Sequence, residues 1–297
     1  MMISIAICTY NNAKKLAVAL ESLRHLLCPA ELSYEILVID NNSRDETKDV
    51  VQRYQELGGP VLRYVFEPAQ GLSHARNRAL QEAQGEIVAY LDDDVHVDPG
   101  WLTAVAGAFA AHAAAIVGGK SYLIYPGPRP WWLSEESEFL LSKMDYGDQV
   151  LLDTDKELYG LNFSVRKDLA LQAGGFDPAF GRLGSSSLRS GEEADLMQRV
   201  RARGGRAVYE PRAVVGHIVS EERLRIRWFL RRAFAPGVDP QTVRTSQAAV
   251  HLLRCCGSVL RTAARGEIRF AVLFGKSLFA VAALRHLLES LRKKQME

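Results

Sequence analysis

No G-x-G-x-x-G follows the first apolar run of this chain, and no complete G-x-x-x-x-G-K-S/T loop occurs in it. Gly119-Lys120-Ser121 and Gly275-Lys276-Ser277 imitate the end of such a loop. The glycine required five residues before it is Ala114 in the first case and Phe270 in the second. A dinucleotide oxidoreductase and a P-loop kinase are therefore poor readings. Cysteine is scarce: Cys8, Cys28, Cys255 and Cys256 show no metal-ligand spacing and read as core or neutral residues of a reducing compartment. Met1 to Leu16 lacks a basic start followed by a long apolar run, so no secretory signal is expected and the location is expected to be cytoplasmic.

What is present is enough apolar sequence for a full core, 47% of 297 residues, and a divided charge. The net charge is +2, but from Glu221 onward 15 Lys/Arg stand against 6 Asp/Glu, or +9, which leaves 22 against 29, or −7, for residues 1 to 220. A basic tail on an acidic body points to an anionic partner for the tail.

Short apolar runs alternate with helical patterns from Ile3 to His112. Strands are expected at Ile3 to Cys8, Tyr34 to Ile39, Val61 to Phe66 and Ile87 to Leu91. Helices are expected at Lys14 to Leu27, Asp45 to Leu57, Leu72 to Ala83 and Trp101 to His112. This alternation implies βαβ units and a largely parallel sheet. Three of the strands end in polar clusters: Thr9 to Asn12, Asp40 to Ser43, and Asp92 to Asp94. Right-handed crossovers bring those ends to one side of the sheet, where ligands of open α/β sheets bind. Three consecutive aspartates repel one another unless a cation or strong donor neutralises them, and their oxygens suit Mg²⁺ or Mn²⁺ bridging to substrate phosphates.

The runs Ala6-Ile7-Cys8-Thr9-Tyr10-Asn11, Val38-Ile39-Asp40-Asn41-Asn42-Ser43, Gly71-Leu72-Ser73-His74-Ala75-Arg76-Asn77 and Leu91-Asp92-Asp93-Asp94, in this order, resemble family 2 glycosyltransferases with the GT-A fold, among them bacterial polysaccharide and glycolipid enzymes. The resemblance covers residues 3 to 235. It implies an α/β GT-A (Rossmann-like) fold, a mixed, mainly parallel sheet flanked by helices. The catalytic domain is expected over 1–235 and a helical extension over 236–297. The implied activity is inverting transfer of a sugar from a nucleoside-diphosphate sugar, UDP-linked by expectation, to a glycan or lipid-linked acceptor hydroxyl. A nucleotidyltransferase is the alternative of another class, though Thr9 to Lys15 lacks its Gly-rich, Lys-bearing loop; a catalytically silent nucleotide-sugar-binding protein of the same fold is a third.

On this resemblance Thr9, Tyr10 and Asn11 line the nucleotide pocket, Asp40 bonds the base with Asn42 beside it, and Arg76 lies near the diphosphate. Asp92 and Asp94 match a D-x-D pattern holding ribose and metal, with Asp94 the first-choice ligand and Asp93 directed to sugar hydroxyls. His217 stands where relatives place a metal-ligating histidine, completing a set of Asp94, Asp92 and His217 for Mn²⁺ or Mg²⁺. Asn162, in Gly160-Leu161-Asn162-Phe163-Ser164, matches a segment lining the junction of donor and acceptor. Gly191-Glu192-Glu193-Ala194-Asp195 opens a helical pattern, where carboxylates also serve as dipole partners. Relatives show Glu-Asp here; this chain has Glu192-Glu193, and Glu193 is favoured as the base that removes the acceptor proton, with Glu192 second.

Trp131-Trp132 reads as an aromatic platform or as core. Beyond the break at Pro236-Gly237, an amphipathic helix is expected over Gln247 to Arg265 and a mostly apolar one over Ile268 to Leu288, with Lys276 in its middle. That charge favours an interfacial helix pair over a membrane span. The expected partner is a membrane surface on its inner face rather than nucleic acid, with a homo-oligomer the alternative use of the helices.

Overall fold

The computed structural model describes residues 1–133, 135–183 and 190–233. Within them the chain runs β1 (Met2–Thr9), α1 (Ala13–Leu23), β2 (Ser33–Asp40), α2 (Thr47–Glu56), β3 (Val61–Phe66), α3 (Leu72–Glu82), β4 (Ile87–Asp92), β5 (Val95–Val97) and α4 (Trp101–His112). It continues through β6 (Ile116–Ile124), β7 (Leu151–Leu152), β8 (Asn162–Arg166), α5 (Lys167–Gln172), α6 (Glu192–Arg201), β9 (Ala207–Ile218) and α7 (Ile226–Ala233). The sheet order is β3-β2-β1-β4-β8-β6-β9-β5, with β7 paired to β9. The half built from β1 to β4 is parallel; β8 is antiparallel to both β4 and β6. The expected mixed α/β fold is the observed one.

Both faces of the central strands are buried, which is why their sequences read as unbroken apolar runs rather than alternations. Ile3, Ile5, Ile7, Ile36 and Val38 face a core shared with α1, α2 and α4. Ala6, Leu37 and Ile39 face a second core closed by α3, α5 and α6. On α1, Leu16, Leu20 and Leu23 point inward at helical spacing, each fully buried leucine contributing about 1.5–3 kcal/mol. The helix stops there, short of the expected Leu27, which is exposed.

The chain separates into two compact units. The larger one, described over 1–124, 142–183 and 191–218, holds the sheet and every residue discussed below as the site. The smaller one is described over 125–133, 135–141, 190 and 219–233. In it Trp132 packs edge-on against Phe229, with ring centroids 5.2 Å apart, while Trp131 is 62% exposed. Of the proposed platform, then, Trp132 is core. The helices expected within 247–265 and 268–288 lie outside the described residues. No helix among the described residues is long and apolar enough to cross a membrane.

Candidate active site

Parallel register sets the site. Thr9 lies opposite Asp40 across β1 and β2, and Cys8 lies opposite Asp92 across β1 and β4, so the three polar strand ends abut. The loops leaving them are stitched together. Asn11 N donates to Ser43 Oγ (2.9 Å), Arg44 N donates to Asn11 Oδ1 (2.7 Å), and Asn11 and Asn42 both take positive φ. Tyr10 is half-buried beside them. Asp40, 3% exposed, accepts from Ser43 N (2.8 Å) and from the Tyr64 hydroxyl (2.7 Å). Burial pushes the half-buried Cys8 thiol up to about 12, away from the thiolate form.

The three consecutive aspartates diverge. Asp93 turns toward β1: its carboxylate accepts from Thr9 Oγ1 (2.7 Å) and Asn12 Nδ2 (2.6 Å). Burial, then the charge of Asp94, pushes it up to about 7 against those two donors. Asp94 turns the other way. β5 follows it directly and pairs with β9 so that Val95 faces His217, which sets His217 Nε2 3.4 Å from Asp94 Oδ2. Lys15 Nζ is 3.5 Å from the same oxygen and donates to the carbonyl of Ile218 (3.0 Å). Both Asp94 and His217 are almost fully buried. Asp92 is the partly open member; burial and Asp94 raise its carboxyl while Arg76 lowers it.

Arg76 joins this strand end to the start of α6. Its guanidinium, 2% exposed, donates through one nitrogen to Glu192 Oε1 (2.7 Å) and Glu193 Oε1 (2.6 Å). Its other terminal nitrogen lies 3.6 Å from Asp92 Oδ1, and the group sits 5.5 Å from the centre of the Phe176 ring. Gly160 packs against the ion cluster so closely that a Cβ there would fall 1.8 Å from Glu193 Oε1 and 2.1 Å from Arg76. Glu192 is 2% exposed and its Oε2 has no hydrogen-bond partner among the described residues. Burial first, then the neighbouring Glu193 charge, pushes Glu192 up to about 7.

The structure therefore gathers Thr9, Arg76, the three aspartates, Glu192, Glu193 and His217 into linked contacts. Asn162 stands apart in the core, its oxygen accepting from Trp101 Nε1 (2.8 Å) and its amide donating to the carbonyls of Ala213 (2.8 Å) and Lys120 (3.2 Å). Sequence reasoning missed Lys15 and Gly160. Lys15 had a usable signal, a cation one helical turn past a strand-end cluster; Gly160 had none, because its role depends on what folds against it. Chemically, the arrangement offers a carboxylate–imidazole pair beside a lysine, and a buried arginine–diglutamate cluster one aspartate away.

The model of glycosyl transferase family 2 matches residues 4–172. The chain is 24% identical over 244 residues to the glucosyl-dolichyl phosphate glucuronosyltransferase of Haloferax volcanii, covering 82% of this chain and 77% of that protein. It is 28% identical over 240 residues to the succinoglycan biosynthesis protein ExoM of Rhizobium meliloti, covering 79% and 72%. Its fold is similar to that of the mannosyltransferase PcManGT from Pyrobaculum calidifontis in complex with GDP-Man and Mn²⁺ (TM-score 0.64, 20% identity, 96% of this chain and 86% of that one). S. aureus TarS 1–349 in complex with UDP-GlcNAc is also similar (TM-score 0.58, 15% identity, 99% and 92%). The match to the family model spans more than half of the sequence, and the chain belongs to glycosyl transferase family 2.

Proposed function

We propose that this transferase is inverting and metal-dependent, and moves a sugar from a nucleoside-diphosphate sugar, UDP-linked, to a hydroxyl of a glycan or lipid-linked acceptor. The observation that carries the reading is the Arg76 bridge, which sets the helix-start glutamates next to the strand-end aspartates in one site. Donor and acceptor chemistry then meet at one place. The relatives support the substrate classes: one is named for glucosyl-dolichyl phosphate and one for succinoglycan biosynthesis, and two similar structures hold GDP-Man and UDP-GlcNAc.

A divalent ion fits the Asp94–His217 pair. No group of three or more His, Cys, Asp or Glu side chains capable of holding a metal occurs among the described residues. Two protein donors suit an ion that takes its remaining ligands from substrate phosphates and water. Held there by Asp94 and His217, such an ion would supply positive charge to offset that growing on the departing diphosphate. Lys15 adds a second positive charge on the same side. Glu193 accepts the proton of the acceptor hydroxyl; the freed oxygen bonds the anomeric carbon as its bond to the phosphate oxygen breaks, and the nucleoside diphosphate leaves. A single displacement of this kind inverts the anomeric configuration.

Glu193→Gln and Asp94→Ala are each expected to lower transfer by about 10²-fold or more with the fold retained; for Glu193 this is the scale of a general base, which contributes about 10²–10⁴. Retained turnover in either purified variant, or a product of retained configuration by NMR, overturns that part of the reading.

We further propose that residues 236–297 form an extension seating the enzyme on the inner face of a membrane, supported by their own 10 Lys/Arg against 4 Asp/Glu, or +6. The full chain is then expected to float with anionic but not zwitterionic vesicles, and to be released by salt. Equal flotation with both removes the proposal.

A further inference from the structure

The notable fact about Arg76 is how completely its charge is occupied by the protein itself. Its guanidinium is buried, one nitrogen is divided between Glu192 and Glu193, another approaches Asp92, and Phe176 lies against it. A planar fork can hold carboxylates from two elements in fixed relative positions; an ammonium cannot. Its backbone is fixed as well, the Arg76 carbonyl accepting from the buried Tyr90 hydroxyl (2.9 Å) on β4. The fit is close, because a Cβ at Gly160 would meet the ends of the Glu193 and Arg76 side chains and one of them would have to shift to admit it.

We propose that Arg76, with Gly160 giving it room, is the positioning residue of the base: it aims the Glu193 carboxylate at the acceptor, and does not clamp the diphosphate. This rests on Glu193 being the base. Three carboxylates surround the one buried guanidinium, with the Arg182 charge also acting on Asp92 and Glu192, and burial raises the carboxyl of Glu192, whose Oε2 has no hydrogen-bond partner among the described residues. Glu193, the more open of the two glutamates, is the one left within reach of an acceptor.

The test uses full-length Arg76→Lys, Arg76→Gln, Gly160→Ala and Glu193→Gln. Turnover is read as hydrolysis of whichever of UDP-glucose, UDP-N-acetylglucosamine and GDP-mannose the wild type consumes fastest. Nucleotide binding is read as the Kd for the matching diphosphate with Mn²⁺. Arg76→Lys and Gly160→Ala are expected to lower kcat by about 10²-fold, the effect of a misplacement of about 1 Å, with Kd within about threefold of wild type. Arg76→Gln, which removes the charge as well as the fork, is expected to lose at least as much kcat as Arg76→Lys with the same unchanged Kd. Wild-type kcat in Arg76→Lys and Gly160→Ala, or a tenfold loss of nucleotide affinity with kcat intact, overturns the proposal. Glu193→Gln separates the two readings: if it stays active the base assignment falls, and if it is dead while Arg76→Lys and Gly160→Ala keep wild-type kcat, only the positioning role falls.

Discussion

At the scale of single residues, several polar side chains that look like ligand contacts are consumed by the fold. Asn162 is the clearest. It bonds an indole on α4, a carbonyl on β6 and a carbonyl on β9, all inside the core. Removing it leaves three buried polar groups without partners, each costing about 1–3 kcal/mol. Asn162→Ala is expected to lower the unfolding free energy by about 2–4 kcal/mol in chemical denaturation, with nucleotide affinity of the folded fraction unchanged. The opposite result, normal stability with lost nucleotide binding, would make Asn162 a donor contact instead. Asp93 belongs to the same class: Thr9 and Asn12 hold it, so it ties the β1–α1 loop to the end of β4. Strand alternation does not foretell this, because the chain turns immediately after Asp92 and each aspartate leaves in its own direction.

At the scale of elements, the sequence was legible where local pattern and tertiary role agree. α4 spans the expected Trp101 to His112, and β3 the expected Val61 to Phe66, because the burying face or run coincides with the element. β9 is different. Only its last residues, from Val214, stand out as an apolar run, yet the strand begins at Ala207 and passes through Pro211. Its pairing with β6 jumps from Gly119–Glu210 to Ser121–Val215, and proline, which cannot donate to a ladder, is accommodated at that irregularity. On β6 the paired glycines hide the strand for a related reason: a Cβ at Gly119 would lie 2.0 Å from the Ala213 carbonyl, so close backbone approach replaces the β-branched signature. Such long-range contacts carry no local signal. α3 shows the gain from combining both views. Ser73, Arg76 and Asn77 share one face by helical spacing, and the structure shows what that face holds. Ser73 donates to the Phe180 carbonyl (2.9 Å), Asn77 exchanges two bonds with the Phe176 backbone (2.7 and 2.8 Å), and Arg76 takes the glutamates of α6. One helix thus carries the segment that leads to the base.

At the scale of the whole molecule, the buried acids of the site should make stability depend on pH in an unusual direction. Glu192 ordinarily titrates at 4.5 and is pushed up to about 7 in the folded protein. Below pH 4.5 the carboxyl is protonated in folded and unfolded chains alike and contributes no pH dependence. Between 4.5 and 7 the unfolded chain has released the proton and the folded one still binds it. Unfolding then releases a proton, and its free energy falls as pH rises, by about 1.4 kcal/mol per pH unit for each such proton. Above 7 both states are ionised and the slope vanishes. Denaturation of the donor-free, metal-free protein at pH 5, 6, 7 and 8 should therefore show midpoints declining toward pH 7. Asp92 and Asp93, also raised by burial, act in the same sense. Glu192→Gln isolates the one contribution: it keeps an acceptor for Arg76 but cannot titrate, so its stability should fall less steeply over the same range, by about one proton's worth of slope. A variant profile parallel to the wild type would place the retained proton elsewhere in the cluster, and the charge balance around Arg76 would have to be drawn with Glu192 ionised.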